Sequence, residues 1–62
     1  MTTKEFIEKK MDNLLHAIKN NLILKDDAYS QFIGYTKAFA ELGIISNEDA
    51  KQYRLQLARI LF

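Results

Sequence analysis

A helix stop followed at once by a helix start divides the C-terminal half of this 62-residue chain. Leu42-Gly43-Ile44 is typical of a helix end, because glycine readily adopts the left-handed backbone conformation that closes many helices. Ser46 follows, and together with Asp49 it forms a capping-box pattern at the start of another helix. The two signals predict two antiparallel helices joined by a tight turn, which is a helical hairpin.

The N-terminal third of the chain predicts one more helix, which would cover the apolar face of this hairpin. Thr2 and Glu5 form a second capping-box pattern, so this helix is expected to run from about Thr3 to Asn21. Asn20-Asn21 is the expected end, with an extension by one turn through Leu22-Ile23-Leu24 left open. The apolar residues recur at the helical period, and they are Ile7, Met11, Leu14, Ile18 and Leu22, flanked by Phe6 and Leu15.

The second helix is expected to be capped by Asp26 or Asp27, because a carboxylate can cap a helix and interacts favourably with its dipole. A heptad-like row of residues is predicted to face the core, namely Ala28, Phe32, Tyr35, Phe39 and Leu42, with Tyr29, Ile33, Thr36 and Ala40 beside it. The third helix is predicted to turn Ala50, Tyr53, Leu57, Ile60 and Leu61 inward. The sequence therefore predicts that residues 1–62 form one all-α domain, a three-helix bundle in which helix 1 packs on the helix 2–helix 3 hairpin.

Composition restricts the function of so small a domain. A chain of 62 residues buries only a small core, yet 48% of its residues are hydrophobic. This surplus favours a homodimer or an apolar surface for a partner protein. Cysteine is absent and His16 is the one histidine, so neither a disulfide nor a metal site or other cofactor is expected.

The charge and the apolar runs point to a cytoplasmic protein that meets neither membrane nor small molecule. The net charge is +1, which gives little attraction to nucleic acid or to anionic lipid. Leu22-Ile23-Leu24 and Ile60-Leu61-Phe62 are too short to span a bilayer, and the N-terminal residues lack a signal-peptide pattern. The chain also lacks a cysteine nucleophile and a glycine-rich phosphate loop, so we expect no enzymatic activity.

A row of small residues on the second predicted helix is the main candidate for a binding surface. Gly34 lies in the helix interior, four residues from Ser30 and four from Ala38. Small residues at this spacing let another helix approach closely. The alternatives are that Gly34 is simply a tolerated surface glycine, or that the row packs on the first helix of this chain. Arg59 and the apolar C-terminal residue Phe62 complete the predicted surface, which would bind another protein or a second copy of the chain.

The alternative prediction is a DNA-binding regulator. Polar residues follow the outer side of the third predicted helix, and those that could contact DNA are Lys51, Gln52, Arg54 and Arg59. A helix–turn–helix protein places such a helix in the major groove. Two features oppose this function: the turn carries an extra apolar residue between Gly43 and Ser46, and Glu48-Asp49 would repel phosphate.

Overall fold

The computed structural model describes residues 1–62 as three helices. They are α1, Thr3–Lys19; α2, Lys25–Glu41; and α3, Asn47–Leu61. The middle helix, α2, packs against both α1 and α3, and the chain contains no strand. The predicted all-α bundle, with one helix packed on a helical hairpin, is confirmed, whereas the dimer stays a prediction.

Two of the three helices begin at the caps that the sequence predicted. The Oγ1 atom of Thr2 accepts a hydrogen bond from the backbone N–H of Glu5 at 3.1 Å. The Oγ atom of Ser46 accepts one from the N–H of Asp49 at 3.0 Å. At the first cap, the Thr2 hydroxyl also donates to the Glu5 carboxylate at 3.1 Å. Each cap satisfies one of the free N–H groups of a first helical turn.

The start of α2 differs from the prediction of an aspartate cap. Leu24 occupies the N-cap position, in extended conformation and without a side-chain hydrogen bond to the helix. The helix begins at Lys25, so Asp26 and Asp27 both lie within its first turn. Their carboxylates still interact favourably with the positive end of the helix dipole. The prediction of the cap was wrong because a carboxylate two or three residues after the N-cap interacts equally well with the helix dipole.

The end of α1 is a Schellman motif centred on Asn21. Asn20 is the C-cap, and Asn21 adopts the left-handed conformation with φ of 59°. The N–H of Leu22 donates to the carbonyl oxygen of Ala17 at 2.9 Å, and the N–H of Asn21 donates to that of Ile18 at 3.0 Å. The helix therefore ends where the asparagine pair predicted, and the extension through Leu22–Leu24 does not occur.

The turn between α2 and α3 repeats this geometry around Gly43, as predicted. Gly43 has φ of 76°, a conformation that glycine adopts without steric cost. The N–H of Ile44 donates to the carbonyl oxygen of Phe39 at 2.9 Å, and the N–H of Gly43 donates to that of Ala40 at 3.1 Å. The chain then reverses direction, which lays α3 along α2.

The core is narrower than the sequence pattern suggested. Three residues that were predicted to face inward are exposed: Tyr35, Leu42 and Ile60, with 38%, 72% and 58% of their surface accessible. Leu22 is exposed as well, because the chain has already left α1 at that point. Only nine residues are buried, namely Ile7, Met11, Leu14, Ala28, Phe32, Thr36, Ala50, Leu57 and Leu61.

Thr36 is the one polar residue in this core, although the sequence placed it beside the core rather than within it. Its hydroxyl lies 3.1 Å from the carbonyl oxygens of both Phe32 and Ile33 in the preceding turn. These hydrogen bonds satisfy the hydroxyl within its own helix, so its methyl group can be buried at little cost. The buried row of α2 is therefore Ala28, Phe32 and Thr36, at intervals of four residues.

Candidate functional site

An apolar groove lies where the start of α1 meets the end of α2. The rings of Phe6 and Phe39 lie side by side, with centroids 5.7 Å apart and planes tilted by 57°. Ile44 lies in the same groove, because the Schellman motif returns it toward Phe39. The resulting hollow has a volume of about 290 Å³ and is lined by Met1, Thr2, Thr3, Phe6, Phe39 and Ile44.

A second hollow adjoins the first and is basic. Its volume is about 360 Å³, and Met1 and Phe6 line it together with Lys9, Lys10 and Asn13. The Nζ atom of Lys10 lies 5.4 Å from the ring centroids of both Phe6 and Tyr35. An ammonium at this distance is attracted to the faces of aromatic rings, so the contact holds Lys10 over the groove.

The charged side chains that line the two hollows are all positive. No aspartate or glutamate lines either of them. The only salt bridge in the protein joins Lys4 and Glu8, with Nζ and Oε1 4.0 Å apart, so neither Lys9 nor Lys10 is paired with a carboxylate. Glu5 hydrogen-bonds to the Thr2 hydroxyl at the edge of the apolar hollow but does not line it. We call the two hollows together the Phe6–Phe39 groove.

Sequence reasoning missed this groove because it assigned both phenylalanines to the core. Phe6 stands next to Ile7, so its ring lies beside the buried stripe of α1 rather than on it, and 38% of its surface is exposed. Phe39 is half-buried. The positions of Phe6 and Lys10, four residues apart, already place an aromatic ring and a cation on one side of a helix. Their approach to α2 could not be inferred from that spacing.

The small-residue row of α2 faces solvent. Ser30, Gly34 and Ala38 are all exposed. A Cβ atom placed on Gly34 would meet no other atom within 4 Å. The possibility that the row packs closely against α1 of the same chain is therefore wrong, and its role as a contact for another molecule stays a prediction.

The C-terminal residues of the predicted surface lie at the opposite end of α2 from Gly43. Phe62 is 70% exposed, and its ring edge meets the ring of Tyr29 with centroids 5.8 Å apart. Arg59 is exposed as well, whereas Leu61 is buried and closes the core.

The residues of the DNA-binding alternative do not share one free face of α3. Lys51, Gln52 and Arg59 are exposed, whereas Arg54 is half-buried. The side chain of Gln52 donates a hydrogen bond to the Glu48 carboxylate at 3.1 Å.

The fold changes the acid–base behaviour of Tyr53. It is half-buried against the core, and its pKa lies above the ordinary value of 10.0. Burial of the phenol is the main cause, followed by the negative charges of Asp49 and Glu8.

The fold contains neither a metal-binding cluster nor a membrane-spanning helix. No group of three or more histidine, aspartate or glutamate side chains lies close enough together to hold a metal ion. None of the three helices is both long enough and apolar enough to cross a bilayer.

Comparisons with known proteins place the chain in no family. No protein-family profile, no curated protein and no solved structure matches it.

Proposed function

We propose that this protein is a small, non-enzymatic protein–protein interaction module of the cytoplasm. It would act as a regulator, adaptor or inhibitor by docking a helical face onto a partner, so its mechanism would be occlusion or tethering rather than chemistry. The main structural support for this function is the Phe6–Phe39 groove. There, half-exposed aromatic rings and Ile44 form one continuous apolar surface in a chain that buries only nine residues. Clustered apolar exposure of this kind marks interaction sites.

The exposed row of Ser30, Gly34 and Ala38 gives the proposal separate support. Glycine in a helix interior costs about 1 kcal/mol relative to alanine. Since nothing in the chain approaches Gly34, internal packing does not explain this cost. A second helix lying against the row, from a partner or from another copy of the protein, would explain it.

The experiment compares Gly34→Leu with wild type in two assays. Because the Cβ position is open, leucine there should leave the fold intact and only place a large side chain on the exposed row. Sedimentation velocity over a concentration series measures self-association, and quantitative affinity capture measures the partner that is retained. Gln56→Leu is the matched control, because it adds the same side chain to an exposed site on α3.

We expect Gly34→Leu, but not Gln56→Leu, to lower either self-association or capture by at least fivefold. If the wild-type protein is a strict monomer and retains the same proteins as both variants, the small-residue row has no such role. Photo-crosslinking from position 44 then tests the groove separately. If position 44 crosslinks no protein either, the proposed function is wrong.

The DNA-binding alternative keeps one favourable observation, the exposure of Lys51, Gln52 and Arg59 on α3. Duplex binding that weakens steeply with salt, and that Arg54→Ala reduces, would support it. If no duplex is retarded at low salt, this alternative is excluded.

A further inference from the structure

We propose that the Phe6–Phe39 groove binds an acidic amphipathic segment of a partner protein. Apolar side chains of the segment would lie on Phe6, Phe39 and Ile44, and its carboxylates would lie beside Lys9 and Lys10. This inference rests on the proposed function and adds the chemistry of the partner.

The form of the groove suits side chains of a peptide rather than a free small molecule. Small-molecule sites usually enclose most of their ligand, whereas both hollows here are open depressions that share Phe6 as a common wall. The apolar and the basic hollow lie next to each other, so a ligand that fills both must carry an apolar and an acidic part. An amphipathic helix laid into a groove presents such parts at fixed intervals along its length.

The charge of the groove favours an acidic segment over a basic one. Two lysines line the basic hollow, no carboxylate lines it, and neither lysine forms a salt bridge within the chain. A ligand carboxylate is therefore favoured beside Lys9 and Lys10.

Lys10 is already positioned for such a contact. Lys10 is half-buried, and its Nζ atom lies over the Phe6 and Tyr35 rings, 5.4 Å from each ring centroid. Lys10 therefore loses less conformational entropy on binding than a lysine whose side chain extends into water. Two lysines on a chain of net charge +1 are too few to hold a nucleic acid or an anionic bilayer by charge alone, so a peptide is favoured over either.

The test uses the full chain and a designed fluorescent peptide of roughly 16 residues, about four helical turns. Leucine and phenylalanine occupy one face of this peptide, and glutamate occupies the other. A second peptide carries lysine in place of each glutamate. Fluorescence anisotropy gives the dissociation constant, and amide NMR shifts locate the contact on the protein.

The variants come in matched pairs. Lys10→Gln and Lys37→Gln each remove one positive charge, but Lys37 is exposed on α2 and lines neither hollow. Ile44→Ser and Leu22→Ser each remove an exposed apolar side chain at the equivalent position of the two Schellman motifs, and only Ile44 lies in the groove. Circular dichroism confirms that each variant keeps the helical fold.

The glutamate peptide should bind and the lysine peptide should not. NMR shifts should concentrate on residues around Phe6, Lys10 and Phe39. Lys10→Gln should weaken binding about threefold to fivefold, as expected for one charge pair at the edge of an interface. Ile44→Ser should weaken it about tenfold, because an apolar contact is lost. Each control variant should stay within about twofold of wild type.

Several outcomes would overturn the inference. These are no binding at about 1 mM peptide, equal binding of the two peptides, shifts away from the groove, and equal effects of the paired variants. Tighter binding to phosphatidylserine vesicles or to duplex DNA than to the peptide would also reject it. If the peptide fails while Gly34→Leu still disrupts an association, only the groove inference falls and the proposed function stands.

Discussion

Replacing Gly34 with alanine should stabilise the protein by about 1 kcal/mol. The residue lies in the interior of α2, where glycine costs roughly this much relative to alanine because it loses more backbone freedom on folding. The added methyl group would meet nothing within 4 Å, so neither a clash nor a packing gain changes the result. For a domain of about this size, 1 kcal/mol raises Tm by about 4–8 °C.

Urea and thermal unfolding followed by circular dichroism measure this effect at low protein concentration, where self-association does not contribute. The urea midpoint should rise while the slope m is unchanged, because the surface exposed on unfolding is nearly the same. Ala38→Gly supplies the reverse change one turn further along the same exposed row, and it should destabilise by about 1 kcal/mol. The double variant should therefore lie close to wild type.

Gly43→Ala provides the contrast between the two glycines. Its surroundings are equally open, but φ is 76°, where a Cβ atom strains the backbone. This variant should lose about 1–2 kcal/mol. If Gly34→Ala proved neutral or destabilising at low concentration, or if the two glycine variants changed stability equally, the argument from backbone conformation would be wrong.

Three further substitutions test other parts of the fold. Leu24→Ser should stabilise by about 1 kcal/mol in urea unfolding, because a hydroxyl at this uncapped N-cap could accept a hydrogen bond from the N–H of Asp27. Thr36→Val should change the free energy of unfolding by less than about 1 kcal/mol, since the lost hydrogen bonds are internal to α2; a larger loss would assign the hydroxyl a role in packing. Because the pKa of Tyr53 is raised in the folded state, the unfolded chain releases this proton first. The contribution of Tyr53 to stability is therefore complete below pH 10 and is lost as the pH rises through the folded pKa. Tyr53→Phe should accordingly lose less stability than wild type between pH 9 and pH 11 in matched urea titrations.

The helices and most of their ends could be predicted from the sequence because those signals act over a few residues. Thr2, Ser46 and Gly43 each determine the conformation of their own turn, and the structure places each in the predicted role. Leu24 could not be predicted as a cap, because a leucine carries no capping group and the aspartates that follow it are equally suited to a first turn.

Packing between helices was predicted less well, because it depends on which of two adjacent stripes each helix turns inward. Tyr35 and Thr36 are neighbours, and the pattern favoured the aromatic residue for the core. The structure buries Thr36 and leaves Tyr35 beside Lys10. Burying Thr36 instead of Tyr35 means that α2 is rotated about its axis relative to the predicted orientation. The groove depends on this rotation, so it could be found only after the helices were placed.

The order of the helices also affects how fast this protein can fold. Each helix packs chiefly on its neighbour along the chain, through connections only a few residues long. Low contact order of this kind is associated with folding in microseconds to milliseconds, far faster than most proteins of similar size meet a binding partner at cellular concentrations. A freshly synthesised copy would therefore reach any encounter with its groove already assembled, and recognition would be limited by diffusion and docking rather than by chain ordering.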